Sequence, residues 1–154
     1  MNKKYIILEI IPTSSNPKFG DVVQLSALKI DNLKLIDRFD YRLVEDNIPF
    51  SEMREMISYD KDKFEYRSST SEIMHEFKEW IEDFQLLILD NSYTRAYLDD
   101  IENEKKDISP YFDMTYNDEI IDDIIEKYNL EPSNYIVDLL YEALIYESNN
   151  KRNA

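Results

Sequence analysis

The sequence predicts a single α/β domain, built on a mixed five-stranded sheet that is flanked by helices. The first third of the chain has the alternating or wholly apolar patterns of strands, and the remainder has apolar stripes at helical spacing. Short apolar runs also separate the helical stripes. The resulting order, β-β-β-α-β-α-β-α-α, is typical of a sheet that begins as a meander and continues through strand–helix crossovers.

The predicted meander fills the first third of the chain. The first strand, Tyr5–Ile11, is apolar on both faces, so we expect it at the centre of the sheet. Pro12 ends this strand, and a turn-rich stretch that closes with Gly20 follows it. The two further strands and the turn between them are predicted at Asp21–Ile30, Leu33–Leu43 and Asp31-Asn32.

The rest of the chain is predicted to alternate helices and short strands. We expect residues 48–67 to form an irregular connection that contains one helical turn. Ser69 and Glu72 form a capping box ahead of an apolar stripe that runs from Ile73 to Phe84, the clearest helix of the chain. The later predicted elements are a strand at Leu86–Leu89, a helix at Tyr93–Ile101, a strand at Tyr111–Met114, and helices at Asp118–Tyr128 and Pro132–Glu147. The single domain is predicted over residues 1–150, with 151–154 as a tail.

The composition excludes several classes of function. The 154 residues include 33 Asp and Glu against 18 Lys and Arg, a formal charge of -15, so the chain lacks a broad basic surface for duplex nucleic acid. One His and no Cys exclude a Cys/His zinc site, thiol chemistry and disulfides. No apolar run is long enough to span a membrane, and the N-terminus does not have the pattern of a signal peptide. We therefore expect a cytoplasmic protein with no membrane partner.

Glu9 is the one acidic residue of the first predicted strand, which is otherwise apolar. Burial of a carboxylate without a partner is costly. We therefore expect Glu9 to lie at the exposed end of the strand, to be paired or protonated, or to bind a metal ion.

Four segments resemble the motifs of one enzyme family. Tyr5–Thr13 lies on a strand that ends in Asp-x-Glu-Thr, and Gly20–Ile30 on the strand that follows it. Leu89–Leu98 lies on His-Asn-x-x-Phe-Asp-x-x-Phe-Leu with one residue deleted, and Ser133–Asp138 lies on His-x4-Asp. In this order the segments resemble the DEDD-type, or DnaQ-like, 3′-to-5′ exonucleases, which have an RNase H-like fold.

The resemblance implies which residues occupy the family's catalytic positions. In the family, four acids hold two divalent ions and a His activates water. The acids correspond here to Glu9, Ile11, Thr94 and Asp138, and the His corresponds to Ser133. Only Glu9 and Asp138 keep a carboxylate. Since two metal ions need several carboxylates and Ser is not a useful base, the resemblance implies a catalytically degenerate site without a cofactor.

Other residues could modify this site. Asp90 and Asp113 follow predicted strands, where they could supply substitute carboxylates for Mg²⁺ or Mn²⁺. Without a metal, Glu9 and Asp138 would be like charges that need a cation, and Arg95 is the candidate. We expect Arg95 and Asn91, which keeps its place in the second motif, to be binding residues.

Three functions remain open on the sequence. We prefer a non-catalytic binding or regulatory protein, a pseudoenzyme whose acidic surface binds a still unidentified protein partner, with weak or no binding of free nucleic acid. The first alternative is an active metal-dependent 3′-to-5′ exonuclease on single-stranded DNA, RNA or short oligonucleotides. The second is an acidic nucleic-acid mimic that inhibits a basic protein.

Overall fold

A computed structural model of the protein describes residues 3–43, 64–133 and 135–153. Its strands are β1 (Lys4–Pro12), β2 (Val22–Asp31), β3 (Lys34–Leu43), β4 (Glu65–Arg67), β5 (Gln85–Ile88) and β6 (Lys105–Asp107). Its α-helices are α1 (Thr70–Ile81), α2 (Ser92–Tyr97), α3 (Ile120–Tyr128) and α4 (Ile136–Asn153), and a 3-10 helix covers Ser109–Phe112.

Within the described residues, six strands form one mixed sheet in the order β4-β3-β2-β1-β5-β6. The pairs β1–β2 and β2–β3 are antiparallel, and the pairs β1–β5, β5–β6 and β3–β4 are parallel. The predicted central position of β1 is confirmed, since β1 lies between β2 and β5. The sheet has one strand more than the five predicted, in the part of the chain that is described.

The two edge strands account for this difference. β4 falls in the segment predicted to be an irregular connection, and the helical turn expected there lies outside the described residues. The strand predicted at Tyr111–Met114 is wrong, because Pro110 lies at the start of the 3-10 helix and the chain pairs with β5 earlier, at β6. Both β4 and β6 are three residues long and polar, so their sequences lack the apolar alternation that predicts a strand.

Local signals for turns and caps are partly confirmed. The β2–β3 hairpin turns at Asn32 and Leu33, with φ of 51° and 68°, one residue later than predicted. Ser69 caps α1 by accepting from the N–H of Glu72 at 3.2 Å. A capping box also predicts that the Glu72 carboxylate accepts from the N–H of Ser69. This part of the prediction is wrong, because the carboxylate accepts from the Ser68 hydroxyl at 2.7 Å instead. The last helix begins at Ile136, four residues after the predicted start, and extends to Asn153.

The sheet separates two apolar cores. Ile6, Leu8 and Ile10 pack with residues of α1 and α2 on one side. Tyr5 and Ile7 pack with α3 and α4 on the other side. Because side chains alternate along a strand, Glu9 lies on the same face as Tyr5 and Ile7, the face that α4 covers. None of the helices in the described residues is both long and apolar enough to cross a membrane.

The hydroxyl of Tyr5 offers a test of the α4-side core. Tyr5 is buried, and its hydroxyl has no hydrogen-bond partner in the described part of the chain. We expect Tyr5→Phe to raise the free energy of unfolding by about 1 kcal/mol at pH 7, because it removes an unsatisfied buried group. The matched control, Tyr97→Phe, removes a hydroxyl that donates to the Ser14 carbonyl at 2.7 Å and should lower it by a similar amount. Urea unfolding measures both changes, and a destabilised Tyr5→Phe would contradict this account.

Tyr5 also predicts a pH dependence. Burial, aided by Tyr141 and Tyr111, raises the pKa of Tyr5 from 10.0 to about 12. The folded state therefore favours the protonated phenol, so this stabilisation is full below pH 10 and is lost as the pH rises towards 12. We expect Tyr5→Phe to lose less stability than the wild type between these two pH values, as measured by urea unfolding at each pH.

Candidate functional site

A row of polar side chains crosses the α4 face of the sheet. Directly paired residues of an antiparallel sheet carry their side chains on the same face. The register pairs Glu9 of β1 with Ser26 of β2, and Ser26 with Asp40 of β3. The next row pairs Ile11 with Gln24 and Gln24 with Arg42. Glu9 thus lies in a row with polar side chains contributed by β2 and β3.

The inner part of this row is a buried hydrogen-bonded network. Gln24, Ser26 and Arg42 are all buried. The Arg42 Nε donates to Gln24 Oε1 at 2.8 Å, and the Gln24 Nε2 makes a longer contact of 3.5 Å with Ser26 Oγ. The Arg42 guanidinium also lies 4.5 Å from the centre of the Phe64 ring. Because buried polar groups are costly unless they are paired, this network favours the observed register of β2 and β3 over a shifted one.

Asp138 is bound by an arginine of the sheet. It lies in the first turn of α4, and its carboxylate accepts two bonds from Arg38 of β3, Nη1–Oδ1 at 2.6 Å and Nη2–Oδ2 at 3.1 Å. The Arg38 Nε donates to Asp40 Oδ2 at 3.1 Å. The hydrogen bond to Asp138 is the main cause that raises the pKa of Arg38 above its usual value. One guanidinium therefore joins two carboxylates that are 98 positions apart in sequence.

The sequence predicts Arg95 as the cation at this site, and for Asp138 that prediction is wrong. Arg95 pairs instead with Asp90, with its Nη2 at 2.9 Å from Asp90 Oδ2. Asp90 lies two residues after the end of β5 and Arg95 lies in α2, so their pair is formed locally at the start of that helix. Arg38 reaches Asp138 because the sheet and α4 bring them together, and no sequence spacing indicates this contact.

The remaining candidate residues occupy separate structural roles. Asn91 caps α2 by accepting from the N–H of Thr94 at 2.8 Å, and Thr94 itself is buried. Ile11 is fully buried in β1. Ser133 is exposed, and its hydroxyl accepts from the N–H of Tyr135 at 3.0 Å, just before α4.

Asp113 does not lie at the end of a strand. It follows the 3-10 helix in a left-handed conformation, with φ of 57°, and is exposed. The expectation that Asp113 joins Asp90 at the carboxyl edge of the sheet is therefore wrong. The strand in this part of the chain is β6, which ends six residues before Asp113.

Arg38 and Asp40 are site residues that the sequence reasoning missed. Their signal is the period-two pattern Arg38-Phe39-Asp40-Tyr41-Arg42, in which charged and aromatic residues alternate. Such alternation places the three charged side chains on one face of a strand. The pattern could have indicated a charged face on β3, but not its contact with α4.

The donor set does not fit two divalent ions. In residues 3–43, 64–133 and 135–150, no three acidic or His side chains are grouped closely enough to hold a metal ion together. Ile11 and Thr94 supply no carboxylate, and both oxygens of Asp138 accept bonds from Arg38. The groups present can form ion pairs and hydrogen bonds across the sheet.

Comparison with known proteins supports the fold. No protein-family model matches the chain, and no curated protein matches its sequence. Among solved structures, the chain is similar to a product-bound structure of exonuclease I, with a TM-score of 0.60 and 10% sequence identity. The likeness covers 99% of this chain and 44% of that one, so this chain spans less than half of its length. The predicted mixed α/β sheet flanked by helices is confirmed, and its fold is like that of this exonuclease I structure.

The Arg38–Asp138 pair predicts a measurable coupling. The two side chains are 30% and 36% exposed and are joined by two bonds, so we expect a coupling energy of about 1 kcal/mol in a double-mutant cycle of Arg38→Met and Asp138→Asn. The control pair, Lys78 and Asp100, is 41% and 65% exposed, and should couple by less than about 0.5 kcal/mol. Chemical denaturation of the single and double variants measures both values. Equal coupling in the two pairs would show that Arg38–Asp138 is an ordinary surface contact.

Proposed function

We propose that this protein is a catalytically degenerate exonuclease-like protein that acts as a binding or regulatory module. The observation that carries the proposal is the bidentate contact between Arg38 and Asp138. The resemblance to the DEDD family makes Asp138 a metal ligand, whereas here its carboxylate neutralises a guanidinium of the protein itself. An internal cation thus takes the role that a metal ion has in that family.

Electrostatics supports this substitution. A singly charged guanidinium and a divalent cation that are 4 Å apart repel by about 8 kcal/mol at an effective dielectric constant of 20. This is twice the repulsion between two single positive charges. A divalent ion at Asp138 would therefore need Arg38 to move away, and would gain no charge from Ile11 or Thr94 in return. The chemistry of Ser133 supports the same conclusion, because a hydroxyl cannot replace imidazole as a general base near neutral pH.

The charge of the chain favours a protein partner. At a formal charge of -15, the molecule as a whole repels free nucleic acid and attracts proteins with basic surfaces. We therefore propose a partner of that kind in the cytoplasm. An inhibitor that mimics nucleic acid would be one form of such a module.

A nuclease assay tests the proposal. The purified protein is incubated with end-labelled single-stranded DNA and with RNA in the presence of Mn²⁺, beside the variant Asp138→Asn. We expect the wild type and the variant to leave both substrates intact, because the remaining donors do not hold two ions. Degradation from the 3′ end by the wild type, abolished in Asp138→Asn, would instead establish the active exonuclease. Degradation that persists equally in both would point to a contaminating nuclease and is resolved by repurification of both proteins.

A further inference from the structure

We propose that the stretch of the β3 edge on which no described strand pairs, together with the acidic groove beside it, binds an extended Lys- and Arg-rich segment of a partner protein by strand addition. This inference rests on the proposed function as a binding module, and it names the surface and the chemistry of the partner. The proposed surface is the part of the β3 edge that lies before Tyr41, where the pairing with β4 begins.

The described strands cover only part of the edge of β3. β3 runs over ten residues, from Lys34 to Leu43, whereas β4 pairs with Tyr41, Arg42 and Leu43. Among the described residues, no strand pairs with the preceding part of β3 on that side. An exposed strand edge presents backbone donors and acceptors to which an extended chain can add.

One backbone N–H of β3 is already hydrogen-bonded to a side chain of the same strand. The N–H of Arg38 donates to Asp37 Oδ1 at 2.8 Å. Just before Asp37, the register shifts and leaves Ile36, which is exposed, as the extra residue of a bulge. Bulges and charged side chains are common means by which proteins limit unspecific pairing at an edge. A partner strand would therefore pair from Asp37 onwards, and its carbonyl would replace the Asp37 carboxylate at Arg38.

A groove of about 610 Å³ follows this edge and is strongly acidic. Among the described residues, its lining consists of the aromatic residues Phe39, Tyr41 and Trp80, the carboxylates of Asp37, Asp40, Glu65, Glu76 and Glu79, and the guanidinium of Arg38. Arg38 is already paired with Asp40 and Asp138, and Glu76 is paired with Arg67. The lining therefore keeps an excess of negative charge, which is complementary to a basic segment.

Asp40 gives an observation that is independent of surface charge. Its side chain is only 10% exposed, and its Oδ2 accepts from Arg38. Its Oδ1 is buried and has no hydrogen-bond donor in the part of the chain that the structure describes. A buried carboxylate oxygen without a donor is costly. A donor from an incoming segment at the β3 edge would remove that cost.

The aromatic floor suits long basic side chains. Phe39 and Tyr41 stack with ring centres 3.9 Å apart, and Trp80 lies 5.3 Å from Phe39. The Trp80 Nε1 donates to Asp37 Oδ2 at 2.9 Å, which fixes the ring at the edge. Phe39 is buried, and the rings of Tyr41 and Trp80 already carry Arg67 at 4.6 Å and Lys29 at 5.1 Å from their centres. The alkyl stems of partner Lys and Arg side chains would therefore pack on the remaining exposed parts of Tyr41 and Trp80, while their charged ends reach carboxylates. Alternate residues of an added strand would place basic side chains over this floor, since side chains alternate between faces.

The same features disfavour nucleic acid at this edge. Phosphates would meet the excess of carboxylates and would lose rather than gain electrostatic free energy. Strand addition also uses backbone N–H and C=O groups in a regular order, which a polypeptide supplies.

A peptide-binding assay tests this inference. The probe is a fluorescein-labelled nine-residue peptide of alternating Lys and Val, and binding is followed by fluorescence anisotropy. We expect saturable binding that weakens at least tenfold in the double variant Asp37→Lys, Glu79→Lys. The matched control, Asp122→Lys with Asp123→Lys on α3, changes the net charge equally at exposed positions and should change affinity by less than twofold. Circular dichroism verifies that both variants are folded.

A second probe separates strand addition from charge attraction. The same peptide with N-methyl groups on alternate residues keeps its charge but loses the backbone donors of one edge. We expect it to bind at least tenfold more weakly than the unmodified peptide. Unchanged binding of the methylated peptide, equal weakening in the two charge variants, no binding at all, or displacement of the peptide by single-stranded DNA would each overturn the inference.

The nuclease assay on the same preparation distinguishes the two proposals. A protein that binds the peptide at β3 yet degrades single-stranded substrates would overturn the proposed function and leave this surface in place. An inactive protein that fails to bind the peptide would overturn only the surface.

Discussion

The structure depends on the burial of both faces of β1. This strand pairs with β2 on one side and β5 on the other, and its alternate side chains enter the two cores. Because each face needs its own cover of helices, the position of β1 decides that α1 and α2 lie on one side and α3 and α4 on the other. A polar residue within such a strand must be accommodated by its neighbours. Glu9 therefore lies opposite Ser26, in the row that continues to Asp40.

Charge on the α4 face is organised around Arg38. Its guanidinium contacts Asp40 within the same strand and Asp138 on the helix above, so it links the sheet to α4. The pair is partly exposed, which limits its effect on stability. Its larger consequence is chemical, because it commits the carboxylate of Asp138 to the protein itself. A scaffold that resembles a nuclease thus combines with a set of donors that is suited to ion pairs.

β3 also carries the acidic groove at the edge of the sheet. Its charged residues alternate with aromatic ones, so Arg38 and Asp40 lie on the α4 face while Phe39 belongs to the core on the α1 side. Within the described residues, β4 pairs only with the end of β3, so the charged and the aromatic residues before Tyr41 lie at the edge of the sheet. One strand therefore contributes to the Arg38–Asp138 pair and to the proposed peptide site. Binding at the edge would act directly on the backbone that positions Arg38.

The sequence by itself determined the elements whose pattern is local: the three long strands, the helix capped by Ser69, and the central place of β1 in the sheet. Hydrophobic periodicity and capping act over a few residues, so they can be recognised without the fold. Only the tertiary structure decided the partner of Asp138, since Arg38 is 100 residues away and reaches it through strand register and helix packing. It also decided the edge strands, because β4 and β6 are short and polar and exist only through pairing with β3 and β5.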